Sequence, residues 1–186
     1  MMPEISLSLL DVAQNSVKAG AKNLILTVRR ETSEQKLYTS VADDGCGMDE
    51  ETVKKVVDPF YTTRTTRKVG LGIPFLKQAA EITGGVFSMK SEKGVGTLVE
   101  ASFCTDSIDC MPLGDMNSTV RSLIQCNPDL RTVYRYEQDG RLFELDTLQL
   151  RDILGDVPLN TPEVMAFLKE YMSEQTQRIE KGEIKA

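Results

Sequence analysis

The 186-residue chain has no histidine and no tryptophan, and its four cysteines, at positions 46, 104, 110 and 126, form no Cys-x-x-Cys pair. That argues against metal sites built on the usual Cys/His spacings and favours free thiols in a reducing compartment. A basic excess is also missing. The formal charge is −6, so nothing broadly attracts a phosphate backbone, and no nucleic-acid partner is expected. The opening Met1-Met2-Pro3-Glu4 lacks the basic stretch and apolar core of a secretory signal. The most apolar stretches are broken by charge within a dozen residues, too short to span a membrane. The expected location is therefore cytoplasmic, with no membrane partner. No Gly-x-x-x-x-Gly-Lys-Ser/Thr loop occurs, and Gly70-Leu71-Gly72 has neither the preceding strand nor the following acid of a dinucleotide fold.

What is present is ordinary globular composition, 40% apolar and 27% charged residues, enough for one good domain and a small appendage. Ile5, Leu9, Leu10, Ala13 and Val17 recur at helical spacing, so a helix is expected over 5–19, stopped by Gly20. Strands follow at 24–29 and 36–42 around a polar turn. Asp49 caps a short helix through Val57, ended by Pro59. A loop dense in Thr and Arg leads to a helix over 72–83, with Phe75, Leu76, Ala79, Ala80 and Ile82 available for its buried side. Gly84-Gly85 closes that helix, and two strands flank 93–96. Residues 105–115 read as a connector. Beyond it come a helix at 116–125, a hairpin about Asp139-Gly140, a helix over 147–154 and a final helix opened by Thr161-Pro162. Its apolar stripe is Val164, Leu168, Tyr171, Met172 and Ile179.

Four blocks carry chemistry. Asp11 and Asn15, four apart, share one face of the first helix. A carboxylate beside a carboxamide oxygen suits a Mg²⁺–triphosphate, because Mg²⁺ takes few hard oxygen ligands and keeps several waters. Asp11 could hold one of those waters or polarise a nucleophile, and Lys18 adds a cation near the same face. In Asp43-Asp44-Gly45-Cys46-Gly47-Met48, the glycines allow a sharp turn and close approach to a ligand. Asp43, ending a strand, could accept from an exocyclic amine such as adenine N6. Between 58 and 73, Arg64, Arg67 and Lys68 with four threonines precede a glycine pair that opens a helix, an arrangement suited to phosphate. Last comes Gly94-Val95-Gly96-Thr97, by itself only a strand-connecting turn.

Together and in this order the blocks resemble the GHKL superfamily of histidine kinases, gyrase, MutL and heat-shock chaperones, over residues 5–104. The resemblance implies a Bergerat-type α/β sandwich, an α+β fold with helices on one face of a mainly antiparallel sheet. The nucleotide domain would occupy 1–104 and a small helix–hairpin–helix–helix α+β appendage 116–186. It implies ATP and Mg²⁺ as cofactors, with Asn15 as the metal ligand, Asp11 as the catalytic acid, and Lys18 on a phosphate. Asp43, Gly45, Gly47 and Met48 would form the adenine box. Phe60, Thr62, Thr63, Arg64, Arg67, Lys68, Gly70, Leu71 and Gly72 would form the lid and phosphate cradle, and Thr97 would complete the pocket. Within the superfamily, Asn15-Ser-Val-Lys18 and Pro59-Phe-Tyr-Thr-Thr-Arg64 are most similar to histidine-kinase and anti-sigma-factor domains. Asp11 stands where many relatives have Glu, one methylene longer, and no histidine is available for phosphorylation in cis.

The function these expectations describe is regulation of a partner protein by Mg·ATP binding and lid closure, including phosphoryl transfer to a Ser or His of that partner. The alternatives are a sensor or accessory subunit that binds without cleaving, and an ATP-driven clamp that works as a homodimer.

Overall fold

The computed structural model describes residues 4–58 and 72–183. In chain order these form α1 (Ile5–Lys18), β1 (Asn23–Glu31), β2 (Lys36–Asp43), α2 (Glu50–Val57), α3 (Gly72–Ile82), β3 (Phe87–Glu92) and β4 (Gly96–Cys104). They continue with α4 (Met116–Cys126), β5 (Arg131–Gln138), β6 (Arg141–Asp146), α5 (Thr147–Leu154) and α6 (Pro162–Glu180). The strands make one sheet in the order β3-β4-β2-β1-β5-β6. Neighbours run antiparallel except β1 and β5, which are parallel with Leu26 opposite Tyr134 and Val28 opposite Tyr136. The hairpin expected in a C-terminal appendage thus extends the same sheet.

Alternation along the strands sets the layers. Leu24, Leu26 and Val28 of β1, Leu37 and Val41 of β2, and Val99, Ala101 and Phe103 of β4 turn inward, joined by Tyr134, Tyr136, Phe143 and Leu145. Against them lie Ile5, Leu9 and Ala13 of α1, Leu76 and Ala80 of α3, Val120 and Leu123 of α4, and Leu168 and Met172 of α6. One core therefore spans both halves of the chain, and each buried Val, Leu, Ile, Phe or Met in it contributes roughly 1.5–3 kcal/mol. The opposite residues of the central strands, such as Thr27, Tyr38 and Ser40, stay partly exposed. Ile82, expected on the buried side of α3, is 52% exposed because the helix ends there.

The connector is not a free tether. Glu4 supplies no side-chain cap to α1, and the first amides of α1 would lack acceptors. They donate instead to the carbonyls of Pro112 and Leu113, at 3.0 and 2.8 Å from the Ile5 and Ser6 nitrogens. The tip of the β5–β6 hairpin is fastened as well. Asp139 and Gly140 both adopt positive φ (51° and 79°) in a two-residue turn, and Asp139 accepts from the Thr32 amide and hydroxyl at 2.8 Å each.

The other end of that hairpin gathers on Asp146, which is 7% exposed. It takes a two-pronged ion pair from Arg131 (3.2 and 2.7 Å) and caps α5 through the Leu148 amide at 2.8 Å. The Arg131 guanidinium and the cap hold the Asp146 carboxyl below the usual carboxylate range, despite its burial. A carboxyl depressed on folding stabilises the protein above its unfolded pKa, about 3.9, and loses that contribution as pH falls through the folded value. Asp146→Asn should therefore cost about 1–3 kcal/mol at neutral pH. Urea denaturation should show the gap to wild type closing as pH drops below about 4; a gap independent of pH would contradict this account of the pair.

Candidate functional site

The polar face of α1 reaches two parts of the molecule that are far apart in sequence. At its middle, Asp11 Oδ2 accepts from the Gly72 amide at 2.7 Å. Gly72 is the first residue of α3 and is buried. A side chain there would meet Asp11, with the Asp11 Cβ only 2.7 Å from an added Cβ, so glycine is what lets the two helices close to this distance. Nearer the C-terminal end of α1, the buried Ser16 hydroxyl donates to Asp43 Oδ2 at 2.5 Å. The other oxygen, Asp43 Oδ1, accepts from the Gly45 amide at 2.8 Å. Asp43 is thus fixed at the end of β2, with each carboxylate oxygen retaining lone-pair capacity for a further donor.

The turn after Asp43 is held from three sides. Asp44 accepts from the Lys22 and Asn23 amides at 2.8 Å each and from the Asn23 side chain at 2.6 Å. Burial pushes its carboxyl up, but the Asn23 and Lys22 hydrogen bonds outweigh that and hold it below its ordinary range. The Cys46 amide donates to the Ala19 carbonyl at 3.0 Å, and the Gly94 amide to the Cys46 carbonyl at 2.8 Å. Gly47 has φ of +60°, and a side chain there would collide with the Glu92 carbonyl, so this turn admits only glycine at that point.

Thr97 lies directly across from Asp43 in the β2–β4 register. Its hydroxyl is 2.8 Å from Ser91 Oγ, which also accepts from the Met48 amide at 2.8 Å and lies 3.0 Å from the Gly96 carbonyl. Ser91 has one proton, so when it donates to Gly96 it must accept from Thr97. That leaves the Thr97 oxygen free as an acceptor beside Asp43. A cleft of 380 Å³ borders this corner, lined in part by Asp43, Ser91, Gly96 and Thr97. A larger depression of 540 Å³ lies on the open sheet face around Thr27, Tyr38, Ser40 and Glu100 and contains none of these residues.

The structure therefore brings Asp11 to Gly72, and Asp43 to Gly45, with Thr97 alongside. Asn15 sits between the two anchors of α1, half-exposed, and its carboxamide makes no hydrogen bond among the described residues. Lys18 is exposed at the end of α1. Met48 enters through its backbone. Phe60, Thr62, Thr63, Arg64, Arg67, Lys68, Gly70 and Leu71 lie outside the described residues. Two members were not anticipated from the sequence, Ser16 and Ser91. The only signal for Ser16 was its place immediately after Asn15, and for Ser91 its strand position opposite Thr97.

Comparison with known proteins places the chain in a family. The model of the family described as "Histidine kinase-, DNA gyrase B-, and HSP90-like ATPase" matches residues 4–106, more than half of the chain, and the protein belongs to that family of ATP-binding domains. Sporulation kinase C of Bacillus subtilis (strain 168) is 28% identical over 91 residues, 49% of this chain and 21% of that protein. Sensor protein RprX of Bacteroides fragilis (strain YCH46) is 34% identical over 85 residues, 43% of this chain and 16% of the relative. The chain thus spans about a fifth or less of these relatives' length. Among solved structures, the Aquifex aeolicus MutL ATPase domain complexed with ADP aligns with a TM-score of 0.53 at 13% identity, covering 91% of this chain and 88% of that one. At that identity the likeness is one of fold.

The Ser16–Asp43 contact yields a graded prediction. Asp43→Ala should weaken ATP and ADP alike by about tenfold to over a hundredfold, the loss of a polar pairing that the bound base would enclose. Ser16→Ala should weaken both by about two- to tenfold, because Asp43 remains but loses one of its two holders. Calorimetric titration of the folded variants checks the order, and equal affinity for wild type and Asp43→Ala would contradict the base assignment.

Proposed function

We propose that the protein is a cytoplasmic Mg·ATP-binding regulator, which uses occupancy of this site to control a partner protein or to phosphorylate a Ser or His on it. The observation that supports this best is the double anchoring of α1. One rigid helix carries the acid and the carboxamide, and reaches the base acceptor through Ser16 and the start of α3 through Asp11. In the free protein those groups are thereby arranged before the ligand arrives, which is what a phosphoryl transfer driven mainly by positioning asks of its site.

The residues fit the ligand. Asp43 offers an acceptor to the adenine amine, with Thr97 beside it. Among the described residues the Asn15 carboxamide oxygen is left open to Mg²⁺, and no group of three His, Cys, Asp or Glu side chains could hold a metal alone. That suits an ion held by one protein oxygen, phosphates and water. Bound Mg·ATP would supply the phosphoryl group and neutralise its charge. Asp11 keeps Oδ1 for a water or an incoming hydroxyl while Oδ2 is engaged. Lys18, Arg64, Arg67 and Lys68 supply cations for the phosphate chain, and closure of the 60–70 segment over it is the step that the partner would sense.

A second reading, a sensor that never cleaves its ligand, is favoured by the same Asp11–Gly72 bond, since an acid occupied by a backbone amide is a less available base. Incubation with γ-labelled ATP and Mg²⁺ separates the two. Label on protein or free phosphate supports transfer or hydrolysis, whereas binding with neither supports the sensor. Asn15→Ala should retain Mg²⁺-free nucleotide binding and lose the gain from added Mg²⁺. Identical Mg²⁺ titrations for variant and wild type would contradict the role given to Asn15.

A further inference from the structure

Gly72 and Asp11 have each been given a role toward the same phosphate chain, yet in the structure they are bonded to each other. The Gly72 amide opens α3, where an N-terminal donor would face an anion. The anion it faces here is the Asp11 carboxylate, at 2.7 Å. The fit is specific, because any side chain at position 72 would strike Asp11. No ion pair to Asp11 is found among the described residues, so the amide is its one hydrogen-bond donor there.

We propose that Asp11 is an internal stand-in for phosphate: it occupies the Gly72 amide when nucleotide is absent and gives that donor up when a phosphoryl group arrives. This regulates the site described above and rests on the reading of that site as a nucleotide site. A single N–H cannot serve a carboxylate and a phosphate oxygen at full strength, and two anions brought to one donor repel each other. Exchange has two consequences. The free protein is partly closed to polyphosphate, because the competing carboxylate must first leave, which lowers apparent affinity by the fraction of time the amide is free. The carboxylate that leaves is then released beside the arriving phosphate, where an acid is of use. Loading and activation become the same event. A ligand lacking phosphate has no call on the amide and leaves the Asp11–Gly72 bond intact.

The test uses the full chain, ¹⁵N-labelled, as wild type and as Asp11→Asn, which keeps the shape of the side chain and removes its charge. An amide bonded to a carboxylate resonates downfield of one bonded to a neutral carbonyl. The Gly72 amide proton should therefore lie downfield in free wild type relative to free Asp11→Asn. With a non-hydrolysable ATP analogue and Mg²⁺ the two proteins should converge at Gly72, and with adenosine the difference should persist. In calorimetry Asp11→Asn should bind the analogue about tenfold more tightly and adenosine equally. A Gly72 difference that survives saturation with the analogue would overturn the proposal, since the carboxylate would then be a permanent partner of the amide. So would identical Gly72 shifts in the free proteins. Either result, with wild type still binding adenosine and the analogue, leaves the nucleotide site standing. Absence of binding by any adenine compound removes both. Should Asp11→Asn fail to fold, the wild-type Gly72 shift decides alone: it should move with the analogue and stay with adenosine, and the reverse would overturn exchange.

Discussion

The Ser16 hydroxyl, 2.5 Å from Asp43, joins α1 to the end of β2, and the Asp11 carboxylate, 2.7 Å from the Gly72 nitrogen, joins it to the start of α3. Between these bonds lies a single helical turn bearing Asn15. A helix fixes the spacing of its side chains far more tightly than a loop does, so in the free protein these two contacts hold the base acceptor, the carboxamide and the start of α3 in one arrangement until a phosphate claims the Gly72 amide. The apolar side of the same helix is locked by Ile5, Leu9, Val12 and Ala13, each no more than 3% exposed. The polar face cannot shift without disturbing that core.

The second half of the molecule is built into the same mechanics. β5 lies parallel to β1, and α4 and α6 complete the core that α1 helps form. The Pro112 and Leu113 carbonyls terminate α1 at its N-terminal end. The family match ends at residue 106, whereas the structural likeness to the MutL domain covers 91% of the chain. Sequence likeness fades in the later strands and helices, yet the fold likeness extends across them. A displacement of α4 or the connector would be felt at α1 through that packing and through those two hydrogen bonds.

Much of this was legible in the sequence because it depends on local chemistry. The helical stripe from Ile5 to Val17, the Asp49 cap, the Asp139-Gly140 turn and the Thr161-Pro162 start each fall where the residues place them. Pairing between distant strands is another matter. Nothing in Arg131–Gln138 says that it will lie beside β1 and parallel to it, since that choice is made by the core it completes. In the site, Asp11, Asn15 and Asp43 carry carboxylate and carboxamide groups suited to a nucleotide, whereas Thr97, by itself part of a strand-connecting turn, entered only through the ordered resemblance of the four blocks. Ser16 and Ser91 have neither signal. A serine on a helix or strand is ordinary, and only the tertiary approach of α1 to β2, and of β3 to β4, turns these two into holders of the site.

The claim on which the rest depends is that Asp43, held by Ser16 and Gly45, reads an adenine amine. Guanine offers a carbonyl at the same position, which would face a carboxylate oxygen with no proton between them. Parallel calorimetric titrations of the wild-type chain with Mg·ATP and Mg·GTP measure this without any substitution. The account predicts a clear binding isotherm for ATP and affinity lower by roughly a hundredfold or more for GTP, the consequence of an unpaired buried acceptor. Comparable affinity for the two nucleotides would show that Asp43 does not read the base.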